Sequence, residues 1–154
     1  MLDRAMMPGR GRFEMFKTAQ DAAEFTTAGN ATLTLRSAKT GKRFTYKVRA
    51  PKDRNAGQRF VSLLTGADNT SDYTYLGLLT ATGEFRMTRA SRMASDSLPV
   101  VAFGFFAKKV LIEGSLPEAL EVRHEGHCGR CGRALTVPES IDRGIGPECI
   151  KHVH

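Results

Sequence analysis

The sequence contains no tryptophan, only three cysteines and no long apolar run, and each shortage excludes something. Without tryptophan, the bulk of any core must come from nine phenylalanines and three tyrosines. The longest apolar stretch, around Val100 to Ile112, is interrupted by Gly104, Lys108 and Lys109. A bilayer-spanning helix needs about 20 consecutive apolar residues, so no membrane association is expected. No apolar run separates Arg4, Arg10 and Arg12, which argues against a secretory leader and for a cytoplasmic protein. Three clustered cysteines cannot form a closed disulfide framework, and in a reducing compartment they favour metal over disulfide.

Catalytic signatures are missing as well. Lys39-Thr40-Gly41-Lys42 has the tail of a phosphate loop without its first glycine, and it sits between two strand-like segments. No His-x-Glu element pairs with a Pro-Cys-x-x-Cys, which excludes the zinc deaminase arrangement. A Ser/His/Asp or Cys/His set cannot be assembled credibly, because metal binding accounts better for the cysteines. A non-enzymatic protein with no small-molecule substrate is therefore expected.

Acidic residues are scarce at one end. Residues 1–60 carry 13 Lys and Arg against 5 Asp and Glu, whereas residues 61–127 carry 6 against 8 and residues 128–154 carry 4 against 3. The net charge of +7 thus belongs to the N-terminal part. Such a surplus suits the phosphates of DNA or RNA, or an acidic protein surface; it also serves plain solubility.

What is present reads as an α+β protein: an antiparallel sheet of about five strands, one or two helices and a C-terminal treble-clef-like zinc lobe. Residues 1–15 read as a flexible basic arm, 16–118 as the β-rich domain and 119–154 as the zinc-binding lobe. A short helix is expected from Phe16 to Phe25, ended by Gly29-Asn30. Phe44, Tyr46 and Val48 alternate with Thr45, Lys47 and Arg49, the period of a strand with a basic outer face. Further strands are expected at Ala31–Arg36, Phe60–Leu64, Tyr73–Thr80 and Phe85–Thr88. Asp96 or Ser97 should cap a helix running to about Ile112, with Val100, Phe103, Ala107, Val110 and Leu111 buried, although β-branched residues leave a strand open there. Ala119 to His124 reads as a short strand. Tyr73 and Tyr75 share one strand face, as do Phe44 and Tyr46; core packing is the simpler expectation, base stacking the functional one.

Spacing is most informative at the C-terminus. Cys128-Gly129-Arg130-Cys131-Gly132 is a knuckle in which glycines let the backbone turn around an ion. After seventeen intervening residues comes Cys149, with His152 three positions on. Cys-x2-Cys followed by Cys-x2-His supplies four ligands for tetrahedral zinc, so the expected set is Cys128, Cys131, Cys149 and His152. Gly146-Pro147-Glu148 before Cys149 favours a helix start whose N-terminus helps a thiolate. His124, His127 and His154 compete for the fourth place. Glu125 and Glu148 lie close in sequence and would suit a catalytic metal; four good ligands favour a structural one. A lobe this small has little core of its own, and metal binding adds on the order of 10 kcal/mol to such modules. Expected nucleic-acid contacts are Lys39, Lys42, Arg43, Lys47, Arg49, Lys52 and Arg54, with Arg130 and Arg133 secondary.

The run from His124 to Arg133, continued through Leu135-Thr136-Val137-Pro138-Glu139-Ser140 to Gly144-Ile145-Gly146-Pro147-Glu148-Cys149, resembles a family of small bacteriophage and bacterial proteins of unknown function. Phe44-Thr45-Tyr46 and Ser71-Asp72-Tyr73-Thr74-Tyr75-Leu76-Gly77 are similar to the same proteins, so the resemblance spans about residues 25–150. It implies a phage origin and work inside an infected bacterial cell. In that family a histidine after the last cysteine is not general, which implies His124, inside the shared run, as the alternative ligand. Two functions follow as expectations: a nucleic-acid-binding zinc protein, or an inhibitor or adaptor that binds a host defence or nucleic-acid-processing protein.

Overall fold

The computed structural model describes residues 14–51, 57–66, 72–135 and 138–152. The expected arm thus lies outside the described residues, except for its end, Glu14–Met15, which forms a two-residue strand, β1. Helix α1 covers Ala19–Thr26, later than the sequence suggested. Its start is set by Thr18, whose Oγ1 accepts the Asp21 N–H at 3.1 Å, with the Asp21 carboxylate near the positive end of the helix. Phe16 stays in extended chain, donating its N–H to the Val122 carbonyl at 2.8 Å.

Five strands then follow in a meander, as the alternation predicts: β2 (Asn30–Ser37), β3 (Arg43–Arg49), β4 (Arg59–Leu64), β5 (Tyr73–Leu79) and β6 (Phe85–Arg86). A seventh, β7 (Leu120–His124), enters beside β2 and pairs with β1 on its other edge, giving the order β1-β7-β2-β3-β4-β5-β6 with all neighbours antiparallel. Residues 120–124, assigned to the small lobe from sequence, are therefore part of the main sheet. Thr34 opposes Arg123 and Leu35 opposes Val122, so the apolar positions of β7 share a face with those of β2.

That face carries the core. Ala31, Leu33, Leu35, Tyr46, Val48, Val61, Leu63, Leu76, Leu79 and Val122 are all buried. Helix α2 (Leu98–Phe106) lies on it, followed directly by a π-helical segment, Ala107–Ile112, in which the Glu113 N–H reaches the Lys108 carbonyl. Val100, Phe103, Ala107 and Val110 are buried as their spacing predicts, and Leu111 packs partly against the core. Phe103 is the hub, with ring centroids 5.0 Å from Tyr46 and 5.0 Å from Phe85. Tyr46 also donates its hydroxyl to the Pro99 carbonyl at 2.7 Å, fixing the start of α2 over β3. Burial pushes the Tyr46 phenol well above its ordinary pKa.

The opposite face follows from the same parity. It carries Thr34 and Arg36 from β2, Arg43, Thr45, Lys47 and Arg49 from β3, Phe60 and Ser62 from β4, Tyr73 and Tyr75 from β5, and Glu121 and Arg123 from β7. An antiparallel sheet can leave one face to solvent, and here that face is polar, cationic and aromatic. Among the described residues no helix is long and apolar enough to cross a membrane.

Candidate metal centre

After β7 the chain leaves the sheet through Glu125 and Gly126 into a tight double turn. An isolated bridge between His127 and Ala134 brackets the knuckle. The Cys128 N–H bonds the Arg133 carbonyl at 2.8 Å and the Gly132 N–H returns to the Cys128 carbonyl at 2.9 Å. Gly132 takes φ +81°, a conformation glycine enters without a Cβ penalty. A short helix, α3 (Pro138–Arg143), follows, and Cys149–His152 form a single 3-10 turn rather than the α-helix expected. The sequence reading missed α3; Pro138 at its first position was the available signal.

These turns bring three thiols together. The sulfur atoms of Cys128, Cys131 and Cys149 all lie within 4.8 Å of one another, with Cys128 and Cys149 buried and Cys131 exposed. Tetrahedral zinc with Zn–S near 2.3 Å separates its sulfurs by about 3.8 Å, so this cluster has the right scale for a thiolate-bound ion. The sulfurs are also supplied with donors. Cys128 Sγ accepts from the backbone N–H of Gly146 at 3.3 Å, of Arg130 at 3.4 Å and of Cys131 at 3.5 Å. Burial raises the Cys128 thiol, but these N–H groups outweigh it and hold its pKa below the usual thiol value. For Cys149 burial prevails and its pKa is raised, the Arg130 guanidinium opposing and the neighbouring cysteines adding to the rise. A metal cation would stabilise all three as thiolates. The three cysteines predicted from spacing are thus brought together, and such a set can hold a metal ion that finds a fourth ligand.

His124 does not join the three thiols. It is fully buried, and its Nδ1 accepts the Gly126 N–H at 2.9 Å. A backbone amide can only donate, so Nδ1 is unprotonated and Nε2 carries the proton, given to the Ile141 carbonyl. Both nitrogens are committed, and the ring is held against Phe16 and Phe25, at centroid distances of 5.3 and 5.7 Å. The alternative that the family resemblance implied does not match this geometry: His124 fastens the lobe through the Gly126 and Ile141 backbone and does not join the thiol cluster. His127 is exposed, with Nδ1 3.2 Å from the Glu125 carbonyl oxygen, and does not join the thiol cluster. His152 closes the 3-10 turn that begins at Cys149, and in such a turn positions i and i+3 are in line. The His152 side chain and the whole of His154 lie outside the described atoms. Of the two carboxylates considered for catalysis, Glu148 is exposed and paired with Lys151 at 3.6 Å. Glu125 lies near Lys47 and Tyr73, and burial pushes its carboxyl up.

The expected basic residues divide. Arg43, Lys47 and Arg49 fall in line along the outer face of β3, and Lys47 Nζ lies 4.2 Å from the centre of the Tyr73 ring. Lys39 and Lys42 lie instead around the β2–β3 turn, at the end of the sheet away from the knuckle, and Lys42 lines a groove against α2 with Leu98, Val101 and Phe105. Lys52 and Arg54 lie outside the described residues. Of the two secondary residues, Arg130 reaches Cys149 Sγ with its Nη1 at 3.7 Å and so faces the thiols, while Arg133 is exposed. Tyr73 and Tyr75, expected in the core, sit half-buried on the outer face; Tyr46 is the core tyrosine. Sequence reasoning passed over Arg36 and Arg123, which share Glu121 at 2.7 and 2.6 Å, because only strand pairing puts them side by side.

Fold and site together define an α+β protein with a C-terminal cysteine cluster that could hold a metal ion. Residues 118–154, from β7 to the last histidine, match the model of DUF6011, a family of unknown function. No curated protein and no solved structure shows significant similarity to the chain.

Proposed function

We propose that the chain is a non-enzymatic zinc protein that binds nucleic acid through the outer face of its sheet. The observation that carries this reading is the row Arg43, Lys47 and Arg49 along β3, laid across an open sheet face and flanked by Arg36 and Arg123. Glu121, and Glu125 near Lys47, offset part of that charge, and the positive surplus suits a phosphate backbone. Cys128, Cys131, Cys149 and His152 would hold the zinc. Its work there is structural: it closes a small lobe whose buried apolar side chains among the described residues include Ile141 and Ile145, with Leu135 and Ile150 packed partly against the core. No carboxylate with a described side chain joins the thiols, and backbone N–H groups and Arg130 surround the sulfurs.

The test is fluorescence anisotropy with labelled DNA and RNA at low salt. Binding should weaken steeply as salt rises, in proportion to the number of phosphates contacted. Absence of affinity for either polymer at low salt ends the reading.

A second reading, an inhibitor or adaptor for a host protein of the kind the phage resemblance suggests, is favoured by one observation. Leu98, Val101, Phe105 and Ile112 are 43% to 56% exposed and follow one another at helical spacing along α2 and its continuation. Co-purification of one stable protein partner that survives nuclease treatment would favour it over the first.

A further inference from the structure

The outer face has a feature that a phosphate-binding surface does not need. Phe60, on β4, is 45% exposed in the middle of a cationic sheet. It sits directly opposite Arg49 on β3, and its ring meets Tyr75 edge-on at 6.3 Å. Two pairs along the ladder, on the same face, Lys47 opposes Ser62 and extends over the Tyr73 ring. Lys47, Arg49, Phe60, Ser62 and Tyr73 enclose a shallow hollow of about 210 Å³. That is smaller than the roughly 300–1,000 Å³ that encloses a whole small-molecule ligand, and its walls are flat rings and cations. The Tyr73 hydroxyl is buried, with no hydrogen-bond partner among the described residues.

From this we infer that the β3–β4–β5 platform takes single-stranded nucleic acid, with unstacked bases on Phe60 and the two tyrosines and the backbone along Arg43, Lys47 and Arg49. The inference rests on the nucleic-acid reading above and narrows it. In a duplex the base faces are already stacked on one another and cannot reach an aromatic side chain on a flat sheet. In a single strand every base has an available π-face, and alternating rings and cations match alternating bases and phosphates. Phe60 is what decides between them: a duplex would have to desolvate the ring and the cations beside it for no stacking in return.

The experiment measures anisotropy of the full chain, with its metal, against labelled oligothymidine, oligouridine and a duplex DNA of the same length. Single strands should bind at least tenfold more tightly than duplex at equal salt, and the two single-stranded probes report whether the sugar matters. Phe60→Ala should weaken single-strand binding by about tenfold and leave the salt slope unchanged, because stacking displaces no counterions. Phe60→Trp should restore affinity. Arg49→Ala should weaken binding and reduce the slope by about 0.7 for one lost phosphate contact. Phe60 is largely exposed, so its variants should fold; circular dichroism checks this. Duplex bound as tightly as single strands, or a folded Phe60→Ala variant with unchanged single-strand affinity, overturns this inference and leaves nucleic-acid binding standing. No binding of any probe at low salt overturns both.

Discussion

Phe25 of α1 lies so close to Gly129 that a Cβ at position 129 would come within 2.6 Å of the phenyl ring, and a Cβ at Gly144 would meet the same ring atom at the same distance. The Gly129 N–H donates to the Gly144 carbonyl at 2.8 Å, so the two glycines are tied together around the ring. The cysteine lobe is thus clasped onto the helix face of the sheet by an aromatic wedge, with the His124 ring packed at a tilt beside it.

Gly129→Ala should therefore destabilise the fold by about 1–3 kcal/mol through overpacking. Gly144→Ala should cost more, since φ is +75° there and the alanine is also strained. Urea denaturation of Gly129→Ala, Phe25→Leu and the double variant would measure the coupling. A smaller ring-side residue should recover part of the loss, and strict additivity would contradict the wedge.

Replacing His124 and replacing His152 should have different consequences. His124→Ala removes a buried ring with two hydrogen bonds and should cost about 3 kcal/mol, while the chain keeps its metal. His152→Ala should lower metal content or affinity with less effect on the sheet. Elemental analysis alongside chemical denaturation distinguishes the two. Loss of metal from a folded His124→Ala variant would assign the ligand role to His124 after all.

Purified chain should carry one zinc ion, and Cys128→Ser should abolish its retention. A strong chelator should lower the thermal midpoint by well over 10 °C, given the on the order of 10 kcal/mol that structural zinc contributes to small modules. Calorimetry with and without chelator reads this directly, and an unchanged midpoint would mean that the thiols hold no structural ion.

Acid should weaken the sheet through Glu121. The hydrogen bond from Arg123 is the largest influence on this carboxyl and, with Arg36, holds its pKa below the ordinary value of 4.5 against a smaller opposing effect of burial. A depressed folded-state pKa contributes stability at neutral pH, and that contribution is lost as pH falls below 4.5 through the folded value. Glu121→Gln should be less stable at pH 7 and show a shallower loss on acidification, measured as the unfolding free energy against pH.

Much of the fold could be read from residue order. Period-two runs such as Phe44 to Arg49 place strands because neighbouring side chains point to opposite faces. Val100, Phe103, Ala107 and Val110 place a helix because they fall on one side of it. What could not be read was which strands meet. Leu120–His124 looks local to the cysteine motif, yet it pairs with β2, some 85 residues earlier, and only that pairing sets Arg123 beside Thr34 and Glu121 beside Arg36. Tyr73 and Tyr75 gave no sign of their side, since the residues around them are apolar or small on both parities; the ladder with β4 turned them outward.

The sequence alone singled out the three cysteines whose sulfurs come together, because a candidate metal site is a matter of residue type and short spacing, and both survive without knowledge of the fold. It also determined the basic row on β3, since alternation is local. The tertiary structure alone decided that His124 is a fastening and that Arg130 turns to a sulfur. It likewise decided that Phe60 joins Arg49 on an open face. Each of these depends on partners distant in the chain, and a side chain's role is set by whichever donor, ring or charge the fold brings within a few ångströms of it.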